Sequence, residues 1–164
     1  MAHRPASASA RLPVPAEQAW ELLTDVRNHA RWIPLTRIDA PHPLVAGDTF
    51  AAVTGPRAAR GGRGLVDRMR VTSSTPPTTS PPSPGRAAYR KLGPVLLGTA
   101  ELRVAPLGPH ACTVTWDEAI HLRGLPAGLV APVARPLAAA MVRRALTSAL
   151  AEVTSPGPRR DGVR

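Results

Sequence analysis

The chain has 164 residues, 43% of them hydrophobic, with a net charge of +10 and a single cysteine. That length suits one domain with a real core, and the apolar share is ordinary for a folded protein. One cysteine excludes an internal disulfide and a multi-cysteine zinc site, and no run approaches the ~18 apolar residues of a membrane span.

The charge invites a nucleic-acid reading, which composition tempers. Of the 21 basic residues all are Arg except Lys91, in a chain that also carries 20 Pro and 13 Gly. This is the bias of a very GC-rich coding sequence, in which Arg replaces Lys by default. Only Phe50, Tyr89 and three Trp are aromatic, too few for rows of base-stacking side chains. No zinc-finger, RNP-type or phosphate-loop spacing occurs. The expectation is no specific nucleic-acid partner, with attraction of the arginines to anionic ligands, membranes or nucleic acid as the alternative. The first residues, "MAHRPASASARLP", lack the apolar stretch of a secretory signal, which points to the cytoplasm.

In chain order, residues 6–14 alternate small apolar and polar side chains and read as a strand. Pro15 then suits the first position of a helix, where its missing N–H costs nothing, and Glu17 and Glu21 favour the helix dipole. Ala19, Trp20, Leu23 and Val26 share one helical face. "HARWI" reads as one further short turn, stopped by Pro34. From there the period changes to two. Six strands are expected in "TRIDA", "DTFAAVT", "GLVDRMRVTSS", "RAAYRKL", "LGTAELRVAP" and "CTVTWDEAIHL", separated by Gly/Pro-rich turns. Short connections make them an antiparallel meander. The segment "TPPTTSPPSPG" reads as a mobile hairpin loop, and the Arg-Gly stretch 55–64 as a basic hairpin tip.

The last third returns to a helical period from Pro132 onward. Ala139, Val142, Leu146, Leu150 and Val153 form a stripe widened by Leu137 and Met141, opposite a narrow sector of Arg143, Arg144 and Thr147. Pro132 and Pro136 place a break or the helix start near the front of this segment. A helix so broadly apolar is expected to be covered over most of its circumference. The final residues are polar and expected to be disordered.

One strand, two short helices, six strands and a long last helix is the order of the helix-grip fold. The sequence resembles the SRPBCC superfamily of START, Bet v 1-like and polyketide cyclase/dehydrase-like proteins. The best-matching pieces are "VPAEQAWELLTDVRNHARWIP", "VDRM", "KLGPVLLGTAELRV" and "TVTWDEAI", most like small actinobacterial-type members. The resemblance implies an α+β fold, a curved antiparallel sheet of about seven strands around a C-terminal helix. It divides the chain into a tail at 1–5, a helix-grip domain at 6–153 and a basic tail at 154–164. "PHPLVAGD" stands where plant Bet v 1-like members carry a Gly-rich loop. In this fold the first helices form a V that supports the last helix. Trp20 would sit on the supporting face and Trp32 near the open end, as packing or as cavity wall.

Strand alternation sorts the chemistry-bearing residues without the family. Leu65, Asp67, Met69 and Val71 share a face, with Arg68 and Arg70 on the other. Val114, Trp116, Glu118, Ile120 and Leu122 share an apolar face, opposite Thr113, Thr115, Asp117 and His121. Asp67 and Glu118 thus fall on hydrophobic faces, where a carboxylic acid can serve as acid or base. Tyr89 would supply a donor for an enolate oxygen in cyclase or dehydratase chemistry. The alternative is that each acid pairs with an arginine or sits at a wet sheet rim. Expected ligand contacts are Trp32, Met69, Val71, Trp116, Ile120, Met141 and Leu146. His3, His29, His42, His110 and His121 show no metal spacing, four of them falling in loops or turns. Cys112 reads as a small buried hydrophobe, and no cofactor fingerprint is present. The leading expectation is binding of a lipid, polyketide or aromatic metabolite, with catalysis in the same cavity second and a basic partner-binding module third. Sequence assigns no oligomeric state.

Overall fold

The computed structural model describes residues 5–155. β1 (Ala6–Leu12) ends at Pro13 and leads into α1 (Ala16–Thr24), a 3-10 turn (Val26–Asn28) and α2 (His29–Trp32). Ala16, Ala19, Trp20 and Leu23 of α1 and Val26 of the turn are all buried, so the expected apolar face is the packed one. β2 (Thr36–Asp39), β3 (Thr49–Thr54) and β4 (Leu65–Thr75) follow. A small hairpin of β5 (Thr78–Thr79) and β6 (Pro82–Ser83) precedes β7 (Gly85–Pro94), β8 (Leu96–Gly108) and β9 (Ala111–Leu122). The chain ends in α3 (Ala127–Thr154).

Seven strands form one curled antiparallel sheet in the order β1-β9-β8-β7-β4-β3-β2. This is the expected meander, closed at one edge by the return of β1 onto β9, with Ala6 opposite Glu118 and Leu12 opposite Cys112. α3 makes its principal sheet contacts with β1 and β9, and α1 packs on β8 and β9. α2 is tied to α3 through Glu152, whose Oε1 accepts from Arg31 Nη2 at 2.6 Å and whose Oε2 accepts from Trp32 Nε1 at 3.0 Å. The result is the helix grip: a curved sheet holding a long helix.

Two expectations about α3 need correction, while the stretch 75–85 is the expected hairpin: it contains the β5–β6 pair, Thr78 Oγ1 donates to the Pro81 carbonyl at 2.7 Å, and Pro77 is buried. A Cβ on Gly85 would lie 2.5 Å from Pro77 and 2.8 Å from the Trp20 ring, so glycine lets this segment close against α1. α3 starts at Ala127, five residues before Pro132, and runs through both prolines. They are four residues apart, on one exposed side of the helix, and each removes one main-chain donor without driving a ring into the core. Nor is α3 covered all round. Ala138, Val142, Ala145, Leu146 and Ala149 are buried, whereas Leu129, Val133 and Leu137 of the front half are exposed. Residues 156–164, most of the expected disordered tail, lie outside the described residues.

A candidate apolar cavity with a buried charge cluster

Because α3 makes its principal sheet contacts with β1 and β9, part of the inner face of the other strands is not packed against it. A cavity of about 710 Å3 lies there, walled by the sheet, α2 and the front half of α3. Its lining is mostly aliphatic and aromatic, including Phe50, Met69, Leu102, Trp116 and Met141. Period-two alternation puts the strand residues inside: β7, for example, reads buried at Ala87, Tyr89 and Lys91 and exposed at Arg86 and Arg90.

Asp67, Tyr89 and Glu118 all reach this cavity, as do Met69, Trp116, Ile120 and Met141. Trp32, Val71 and Leu146 do not. They belong to the packed core, which corrects their assignment as ligand contacts. Trp32 is held away by its hydrogen bond to Glu152, and Val71 and Leu146 are enclosed by neighbouring core side chains.

The two acids are paired, but with neither an arginine nor solvent. Lys91 Nζ donates to Asp67 Oδ2 and, at 2.7 Å, to Glu118 Oε1. It also lies 3.8 Å from Met69 Sδ. Glu118 Oε2 accepts from Trp116 Nε1 at 3.2 Å, while Asp67 Oδ1 is buried with no hydrogen-bond partner. Side-chain exposure is 2% for Lys91, 3% for Glu118 and 16% for Asp67. Burial disfavours the Lys91 ammonium, but the charges of Glu118 and Asp67 and their hydrogen bonds outweigh it and raise the pKa above the ordinary lysine value.

Local architecture brings these three together. Lys91 stands opposite Met69 on β4 and opposite Gly98 on β8, and Glu118 stands opposite Ala100 on β8. The two inward positions of β8 between Lys91 and Glu118 are therefore the smallest available, and the long lysine side chain can cross the strand. Gly98 is required for a second reason. Its φ is +138° and a Cβ would fall 1.9 Å from the Ala119 carbonyl oxygen.

Two further polar groups line the wall. Tyr89 packs edge-on against Phe50, with ring centroids 5.9 Å apart, and burial pushes its pKa up to about 12, so it is a phenol at neutral pH. His29 donates from Nε2 to the Leu23 carbonyl at 2.8 Å and lies against Trp32 and Trp116, at centroid distances of 5.4 and 4.9 Å. It is partly accessible from the cavity yet surrounded by protein, and loss of hydration pushes its pKa down to about 4, so it is neutral at pH 7. Among the described residues no group of three or more His, Cys, Asp or Glu could hold a metal, and no helix is long and apolar enough to cross a membrane.

Lys91 and His29 were missed as site residues. His29 opens a single short turn with no periodic pattern of its own, so its inward aim depends on how α2 docks. Lys91 did carry a signal. It is the single lysine of a chain that uses arginine for every other cation, and it alternates in phase with Tyr89.

No curated protein sequence matches the chain. Its architecture is similar to a START superfamily protein from Mycobacterium smegmatis, with a TM-score of 0.65 at 14% identity over 93% of this chain and 100% of that one. It is also similar to the hypothetical protein jhp0584 of Helicobacter pylori, with a TM-score of 0.69 at 14% identity over 90% of this chain and 86% of the other. The Zhui aromatase/cyclase of a Streptomyces species aligns with a TM-score of 0.62 at 19% identity, over 98% of this chain and 99% of its own. At these identities the likeness is one of fold. The sequence itself matches a family model along residues 4–155, and the chain belongs to the polyketide cyclase/dehydrase and lipid transport family, within the SRPBCC superfamily.

Proposed function

We propose that the chain binds a hydrophobic small molecule, a lipid, polyketide or aromatic metabolite, in the cavity between the sheet and α3. The observation that carries this reading is a cavity of about 710 Å3 with a predominantly apolar lining. Pockets of roughly 300–1,000 Å3 hold drug-sized ligands, and apolar burial supplies most of their affinity. Family membership supports it, since the family spans cyclases, dehydrases and lipid carriers. Native mass spectrometry of the purified protein tests it. The expected result is a non-covalent adduct of an apolar molecule, or uptake of an apolar dye that such a molecule displaces. A protein that carries no adduct and takes up no dye would overturn the reading.

One observation favours a second reading, acid–base catalysis of cyclase or dehydratase type. An ammonium and two carboxylates are buried together on an apolar wall, where similarly sized hydrophobic residues would pack as well or better. In that role Asp67 or Glu118 takes a proton alpha to a carbonyl, and the Tyr89 phenol donates to the resulting enolate oxygen. The test is turnover of a poly-β-ketone substrate by D67N and Glu118→Gln. Loss of turnover with ligand still bound supports catalysis, and a ligand returned unchanged by the unmodified protein removes it.

A further inference from the structure

The polar cluster is unbalanced in a way that bears on which ligand fits, given the reading of the cavity as a hydrophobic-ligand site. Lys91 has three N–H donors and three neighbours that take them: Asp67 Oδ2, Glu118 Oε1 and Met69 Sδ. No lysine donor is left for a ligand. On the other side of the account stand two carboxylates. Three of their four oxygens are engaged, and the fourth, Asp67 Oδ1, is buried without a partner. One ammonium against two carboxylates also leaves one uncompensated negative charge.

The neighbours deepen the imbalance. With Nε2 donating to the Leu23 carbonyl, the neutral His29 ring offers Nδ1 only as an acceptor. Among the described residues Arg144 is the other cation on the cavity wall, but it is exposed and pairs with neither carboxylate. Tyr89 remains as the one ring hydroxyl able to donate into the space. Thr36 and Thr54 also line the wall, but their hydroxyls bond each other, so the polar patch around Asp67 and Glu118 presents acceptors and negative charge.

We infer that the molecule this cavity selects carries a protonated amine on an apolar body, with the ammonium received beside Asp67 and Glu118. The apolar body fills the space lined by residues such as Phe50, Met69 and Leu102. The ammonium neutralises the cluster and supplies the donors it lacks, through charge-assisted bonds that are stronger than neutral ones. A ligand whose polar atoms are all carbonyl oxygens sets acceptors against acceptors, and a carboxylate ligand adds like charge to like in a place with little water. Asp67, the most open of the three charged side chains, is the natural point of contact.

The test uses the full chain and three probes with one alkyl body: n-decylamine, 1-decanol and decanoate, titrated at pH 7 by tryptophan emission below their micellar concentrations. An alkylamine is protonated at that pH, as lysine is. The expected order is amine, alcohol, carboxylate, with the amine tighter than the alcohol by roughly tenfold or more. In D67N the ratio of amine to alcohol affinity should fall toward one, with the melting curve showing that the variant is folded. The ratio in the unmodified protein decides the matter even if that variant does not fold. Equal affinity for amine and alcohol, or preference for the carboxylate, overturns the amine inference and leaves the hydrophobic-ligand reading standing. Failure of all three probes to bind overturns both.

Discussion

The two halves of α3 differ in a way that explains the molecule. Behind Ala138 the helix is packed: Val142, Leu146 and Ala149 are 0%, 2% and 0% exposed. Ahead of it Leu129, Val133 and Leu137 are 74%, 63% and 65% exposed, although they are as apolar. Hydrophobicity does not distinguish the two stretches. Val142, Leu146 and Ala149 of the rear half belong to the packed core, whereas Leu129, Val133 and Leu137 of the front half border the cavity. The helix thus has one end packed into the core and another that borders a cavity. A side chain's contribution depends on which end it occupies.

The largest effect should separate the ends outright. Leu146→Asp places an unpaired charge in the packed end and is expected to destabilise by about 4 kcal/mol or more. The matched change Leu137→Asp, in the front half, should stay within about 0.5 kcal/mol of the parent. Urea melts of the two variants check this, and equal losses would erase the distinction.

A somewhat smaller effect is expected where the hollow end holds its charges. Lys91→Met strips Asp67 and Glu118 of their shared partner and should cost about 3–5 kcal/mol, as breaking a buried ion pair does. Replacing all three residues together with apolar side chains of similar volume should restore most of that loss. If Lys91→Met alone melts like the parent, the cluster is not the buried unit its geometry describes.

The smallest of the three is a pH effect. The folded-state pKa of His29 is lowered from 6.5 to about 4. Between those values the unfolded chain binds a proton that the native protein does not. Stability from this group is thus present above pH 6.5 and lost as pH falls toward 4, by roughly 2–3 kcal/mol. His29→Gln should show a correspondingly shallower fall than the parent across that window in thermal melts. Parallel curves would place the imidazole in water rather than between Trp32 and Trp116.

Much of this was determined locally. Alternation along β4 and β9 is enough to turn Asp67 and Glu118 inward, because a strand sends successive side chains to opposite faces whatever surrounds it. The same rule turns Tyr89 and Lys91 inward on β7. The spacing of Ala19, Trp20 and Leu23 marks the buried face of α1, since a helix repeats every 3.6 residues. The order of these elements, together with the resemblance to the SRPBCC superfamily, leads to the helix-grip fold.

What local periodicity leaves open was decided by the tertiary structure. Whether an inward carboxylate meets an arginine, a lysine or water depends on which strands lie side by side. Here Lys91 reaches Glu118 because β8 stands between them with Gly98 and Ala100 at the crossing. Whether an inward apolar residue packs or lines a void depends on where α3 leans. Val71 and Met69 follow the same pattern on β4, yet the first lies in the core and the second faces the cavity. Prolines that read as a helix boundary end up inside α3, because their rings lie on its exposed side. In each case the deciding contact joins residues far apart in sequence, and a period of two or 3.6 carries no information about distance across a sheet.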